Sequence, residues 1–208
     1  MMPLATPSDN LTRLDDATRT LVRLSAIVTA GTERDVRDAL IAADIPTVWV
    51  EELILQTYLF AGFPRALNAM REWRRSHPVP VDAAPPGNFE QWRQDGERTC
   101  AAVYGSMYER LRENVQALHP RLDDWMITEG YGKVLSRPGL DLPRRELCIV
   151  AACAASGQDR QLHSHLHGAL NVGVAASVVD ETLDAITDLL GASAATSARL
   201  LWARVKGK

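Results

Sequence analysis

Apolar residues along the chain recur at helical spacing and seldom alternate with period two. Leu14, Leu21, Leu24, Ile27 and Val28 mark a helix running to Ala30, which Gly31 stops. Thr32 caps a second helix through Ala43, and Pro46 opens a third through Val50, Leu53 and Ile54 to Ala61. Gly62-Phe63-Pro64 breaks that run before a short helix from Arg65 to Ser76. His77 to Gly87 holds four prolines and reads as an extended or irregular linker. Phe89 to Leu118 is again helical, with interruptions expected near Gly96 and Gly105, and Leu122 to Leu135 forms the next helix.

Ser136-Arg137-Pro138-Gly139-Leu140 is a turn, after which Asp141 caps a helix that tolerates Pro143 in its first turn. Leu147 to Ala155 is small and apolar on every side, the mark of a buried helix. Ser156-Gly157 ends it; a histidine-bearing helix follows from about Asp159 to Val172, then helices over Ser177 to Leu190 and Ala194 to Val205. The fold class predicted is all-α.

The helices carry a faint repeat. Leu14-Asp15 with Arg19-Thr20-Leu21 lies over Leu140-Asp141 with Arg145-Glu146-Leu147, and Gly31 lies over Gly157. After a four-residue insertion, Ala39-Leu40 falls on Ala169-Leu170. Two pseudo-repeated helical units are expected: a degenerate N-terminal half over 1–76, a linker over 77–88, and a C-terminal half over 89–208. Glu146 matches Thr20, and His165 has no histidine counterpart, so only the second half is expected to carry chemistry.

Composition narrows the class further. At 208 residues, 46% hydrophobic and 24% charged, the chain can bury a core without disulfides. A net charge of −3 gives no general reason to expect nucleic acid or an anionic membrane as partner. Cys100, Cys148 and Cys153 are odd in number and form no CxxC, which points to a reducing compartment. Residues 1–10, read as a disordered lead-in, show no signal-peptide pattern, and no apolar run reaches the length of a membrane span. The chain is expected to be cytoplasmic.

The candidate chemistry gathers between Leu135 and Glu181. Glu146 has Val150 and Cys153 one and two turns on, so it faces apolar surroundings, where a carboxylate needs a partner and is a candidate proton carrier. His165, flanked by Leu162, Leu166 and Ala169, points inward. Two antiparallel helices joined at Gly157 would bring the pair together. Against this stands the plainer reading of a salt-bridged acid and a hydrogen-bonded core histidine. His163 and His167 have the i, i+4 spacing of helical metal sites but no evident acidic third ligand, so a solvated face is the better account and no metal is expected. Arg137, Arg144 and Arg145 form a cluster that could hold a substrate carboxylate or serve as surface charges. The cysteines read as core filler.

Tyr131-Gly132-Lys133-Val134-Leu135-Ser136-Arg137-Pro138-Gly139-Leu140, then Arg145-Glu146-Leu147, then Gln161-Leu162, His165 and Gly168-Ala169-Leu170-Asn171, resembles the carboxymuconolactone decarboxylase family and the wider AhpD-like superfamily. The resemblance implies an all-helical fold, assembly into homo-trimers or hexamers with sites near subunit contacts, a small-molecule substrate and no cofactor. The peroxidase branch places its His nineteen residues after its Glu, as His165 follows Glu146. Its two cysteines fall on Gln158 and Gln161, so no thiolate stands where a peroxide would be attacked. The decarboxylase branch needs cationic groups for carboxylates and a positioned acid. Where the decarboxylases carry Trp-Gly and Arg-Ser, this chain has Tyr131-Gly132 and Arg145-Glu146. The expected function is a lyase reaction with Glu146 and His165 catalytic and with Arg137, Arg145, Tyr131 and Gln161 on the substrate. An AhpD-like peroxidase of the peroxiredoxin type and a non-catalytic oligomeric scaffold are the alternatives.

Overall fold

The structure is a computed structural model that describes residues 11–78 and 87–207. The lead-in and most of the proline-rich linker lie outside the described residues. Among those described the protein is all-α, with strand-like pairing limited to one parallel bridge between Leu11 and Val174. The helices are α1 (Asp16–Ala30), α2 (Glu33–Ile41), α3 (Thr47–Ser76), α4 (Phe89–Tyr104), α5 (Tyr108–Leu118) and α6 (Pro120–Trp125). A π-helical segment (Met126–Leu135) follows, then α7 (Leu142–Ser156), α8 (Asp159–Asn171), α9 (Ala176–Ile186) and α10 (Ala192–Lys206).

Local chemistry sets most of the boundaries. The Asp15 carboxylate accepts from the Thr18 amide at 2.7 Å, and Asp141 accepts from the Arg144 amide at 3.0 Å, so α1 and α7 start alike and both run 15 residues. Thr32 and Asp35 form a reciprocal capping box on α2. Gly62, at φ 80°, kinks α3 just before Pro64, where the sequence predicts two helices. Gly157, in the left-handed region at φ 68°, ends α7.

Helix α7 is the core element: every residue from Arg145 to Ala154 is buried, with α1, α3 and α8 packed around it. Two expectations change here. Gly96 does not interrupt its helix, and the run expected from Leu122 to Leu135 splits into a short α6 and the π segment. One close packing accounts for both glycines involved. A Cβ on Gly96 would lie 2.0 Å from the Ile127 carbonyl oxygen, and one on Gly132 would lie 1.9 Å from that of Trp92. The two glycines let α4 and the π segment meet backbone to backbone; only the break at Gly105, at φ 53°, is a real helix end.

Candidate active site

The Asp141 cap and Pro143 fix the first turn of α7, which turns Glu146 inward to complete burial. At the far end, the Gln158 amide bonds the Cys153 carbonyl at 2.9 Å across the Gly157 turn, sending the chain back along α7 as α8. His165 thereby comes beside Glu146, and its Nδ1 lies 2.8 Å from Glu146 Oε2. The histidine side chain keeps only 6% of its exposure. The other carboxylate oxygen, Oε1, is buried with no hydrogen-bond partner among the described residues. Gly168, one turn beyond His165, gives the carboxylate its room, because a Cβ there would lie 2.5 Å from Oε2.

Groups from three other helices border this pair. Phe60 of α3 meets the His165 ring edge to face at 5.9 Å. Tyr131 of the π segment and Tyr104 of α4 pack edge to face at 6.2 Å. Burial pushes the Tyr104 hydroxyl up to about 12, and burial together with the neighbouring Tyr104 and Glu146 side chains raises Tyr131 well above the usual phenol range. Both are neutral O–H donors at physiological pH. Tyr104 and Phe60 are additions to the expected site; the only sequence signal was the i, i+3, i+4 stripe of Cys100, Val103 and Tyr104.

The arginines converge elsewhere. Arg145 is wholly buried and donates to Glu52 Oε2 at 2.7 Å, Gln56 Oε1 at 3.1 Å, and the carbonyls of Leu140 and Arg137. Arg137 forks onto the same Glu52 at 2.9 to 3.1 Å. A carboxylate from α3 thus stands where the sequence places that of a substrate, because Glu52 reaches the α7 start from 93 residues away. Arg144 is engaged by Asp15 and Asp141 and lies over the Trp49 ring. Gln161 is exposed one turn before His165. His163 and His167 pack ring to ring at 4.9 Å, and no group of three or more His, Cys, Asp or Glu suited to a metal occurs among the described residues.

All three cysteines are free and buried. Burial pushes the Cys100 and Cys153 thiols up to about 12 and Cys148 higher still. We expect iodoacetamide at neutral pH to leave the folded protein unlabelled over hours and to label all three thiols after unfolding in guanidinium. Mass spectrometry checks this, and rapid labelling of one native thiol would contradict it.

No helix among the described residues is long and apolar enough to cross a membrane. Residues 120–204 match the Carboxymuconolactone decarboxylase family. The chain is 29% identical over 129 residues to Peroxisomal protein 2 of Schizosaccharomyces pombe, covering 60% of each protein. It is 26% identical over 172 residues to Peroxisomal protein 2 of Saccharomyces cerevisiae, covering 69% of this chain and 59% of that one. These matches span about three fifths of the length of the two fungal proteins. With 4-carboxymuconolactone decarboxylase of Acinetobacter baylyi the identity is 29% over 97 residues, 46% of this chain and 72% of that protein. The stretch that is similar to this family, residues 120–204, holds both Glu146 and His165.

Proposed function

We propose that the protein is a lyase that decarboxylates a small lactone or related β-carbonyl carboxylate by acid–base chemistry at the Glu146–His165 pair. The observation that carries this reading is the 2.8 Å bond between the two buried side chains. Glu146 accepting from Nδ1–H fixes the tautomer, which assigns proton transfer to Nε2; that atom has no hydrogen-bond partner among the described residues. In the reaction the bond to the departing carboxylate breaks and its electron pair moves into the adjacent carbonyl, giving an enolate and carbon dioxide. Protonated at both nitrogens, with Nδ1–H held by Glu146, His165 delivers its Nε2 proton to the carbanion carbon, is left as the neutral Nδ1–H imidazole, and takes a new Nε2 proton from solvent. The Tyr104 and Tyr131 hydroxyls would donate to the oxygen on which charge develops. The similarity to the Acinetobacter decarboxylase supports this class of substrate. The raised thiols and the exposed Gln158 and Gln161 at the expected cysteine positions weigh against a peroxidase.

The test is turnover of γ-carboxymuconolactone by the purified protein. His165→Ala is expected to lower kcat by about 10²- to 10⁴-fold at little change in KM, with Glu146→Gln following in the same direction. Absence of turnover in the parent would overturn the lactone assignment. Equal turnover in parent and His165→Ala would overturn the proton-transfer role.

A further inference from the structure

The N-terminal helices enclose a second cleft that shares no residue with the Glu146–His165 site. It has a volume of about 440 Å³ and lies among α1, α2 and the second half of α3. The kink at Gly62 sets the direction of that half-helix, and Arg65 spans the gap by donating to the carbonyls of Val28 at 3.2 Å and Gly31 at 2.9 Å. Its apolar lining includes Val28, Val36, Pro64 and Ala69. Those residues give the cleft an apolar floor.

The polar lining is unbalanced in charge. Arg37, Arg65, Arg71 and Arg75 border the cleft against the two carboxylates Glu33 and Glu72. Glu72 is shared by two of the arginines: Arg37 Nε bonds Oε2 at 3.0 Å, and Arg75 Nη1 bonds both oxygens at 2.9 and 3.0 Å. The bond from Arg37, with the charges of both arginines, holds the Glu72 carboxyl below its ordinary value, so it stays ionised and gives the cleft no acid of its own. Arg65 is met only by neutral carbonyls, and Arg71 has no ion-pair or hydrogen-bond partner among the described residues. The α2 N-terminus adds little, because Thr32 and Asp35 already cap it. An apolar floor under two guanidinium groups without an anionic partner selects a particular ligand chemistry. The guanidinium fork matches a carboxylate, and the floor matches a hydrophobic body.

We propose that this cleft is a binding site for a small organic carboxylate with an apolar body, separate from the Glu146–His165 site. Arg71 supplies the free fork, and Arg65, Arg37 and Arg75 supply the surrounding positive field. The site stands independently of the lyase reading.

The test is a titration of the ¹⁵N-labelled full chain with benzoate, followed by amide chemical shifts. Saturable shifts are expected at Gly31, Val36 and Arg71, with Gly168 and His165 unmoved. Arg71→Ala is expected to weaken binding several-fold, and Arg71→Glu on the order of tenfold or more. Arg71 is exposed and unpartnered, so neither variant threatens folding. Absence of saturation at millimolar benzoate would overturn the proposal. So would shifts centred on His165, an Arg71→Glu variant that binds like the parent, or inorganic phosphate binding as tightly as benzoate.

Discussion

Glu52→Ala is expected to destabilise the protein by about 3–5 kcal/mol, the range for removing one partner of a buried ion pair. The mutation removes the carboxylate that, among the described residues, pairs with Arg145, whose guanidinium is wholly excluded from water, and it also frees Arg137. Burial pulls the Arg145 pKa down from its ordinary value while Glu52 pulls it back up, so the charge is tolerated because the carboxylate is there. At roughly 2–4 °C per kcal/mol for a chain of this size, the thermal midpoint should fall by about 6–20 °C. Two comparisons identify the cause. Arg137→Ala should cost far less, because that side chain keeps 39% of its exposure. A Glu52→Met, Arg145→Met double variant should recover most of the loss, because apolar groups of similar volume need no compensation in the core. A Glu52→Ala midpoint within about 2 °C of the parent would contradict the argument.

That network shows where sequence reading stops. Short-range chemistry was legible: Thr32 and Asp141 announce helix starts, and Gly157 announces the turn that folds α8 against α7. The nineteen-residue interval from Glu146 to His165 needs only that turn to bring the two together, so the pair could be anticipated. Arg145 could not be read correctly, because its meaning depends on Glu52, half the chain away on another helix. An arginine beside a candidate acid looks like a substrate clamp until the internal carboxylate is seen. Tyr104 and Phe60 were missed for the same reason: each reaches the site from a helix far away in sequence, and the stripe of Cys100, Val103 and Tyr104 marks a buried face without saying what it faces. Gly96 was misread because a helical glycine looks like a break unless the partner backbone it admits, at Ile127, is known.

The same logic gives Gly168→Ala an effect opposite in sign to the usual one. In a helix interior, replacing glycine by alanine ordinarily stabilises by about 0.5–1 kcal/mol. At Gly168 the new methyl would sit 2.5 Å from Glu146 Oε2 and 2.7 Å from Val103 Cγ1, both buried. Relief requires the carboxylate to move, which breaks its 2.8 Å bond to His165 and leaves a second unpartnered oxygen beside Oε1. Overpacking of about 1–3 kcal/mol, together with the lost charged hydrogen bond, outweighs the gain in propensity. We therefore expect Gly168→Ala to lower stability by about 1–3 kcal/mol in denaturant titrations. Far-UV circular dichroism should be unchanged, and whatever activity depends on the Glu–His pair should fall with the pair. Gly130→Ala is the matched control, since a Cβ there meets nothing within 4 Å and no positive φ restricts it. That variant should be neutral or slightly stabilising. A Gly168→Ala protein as stable as Gly130→Ala would mean that Glu146 can move freely, and a freely moving carboxylate cannot fix the histidine tautomer on which the proposed proton transfer rests.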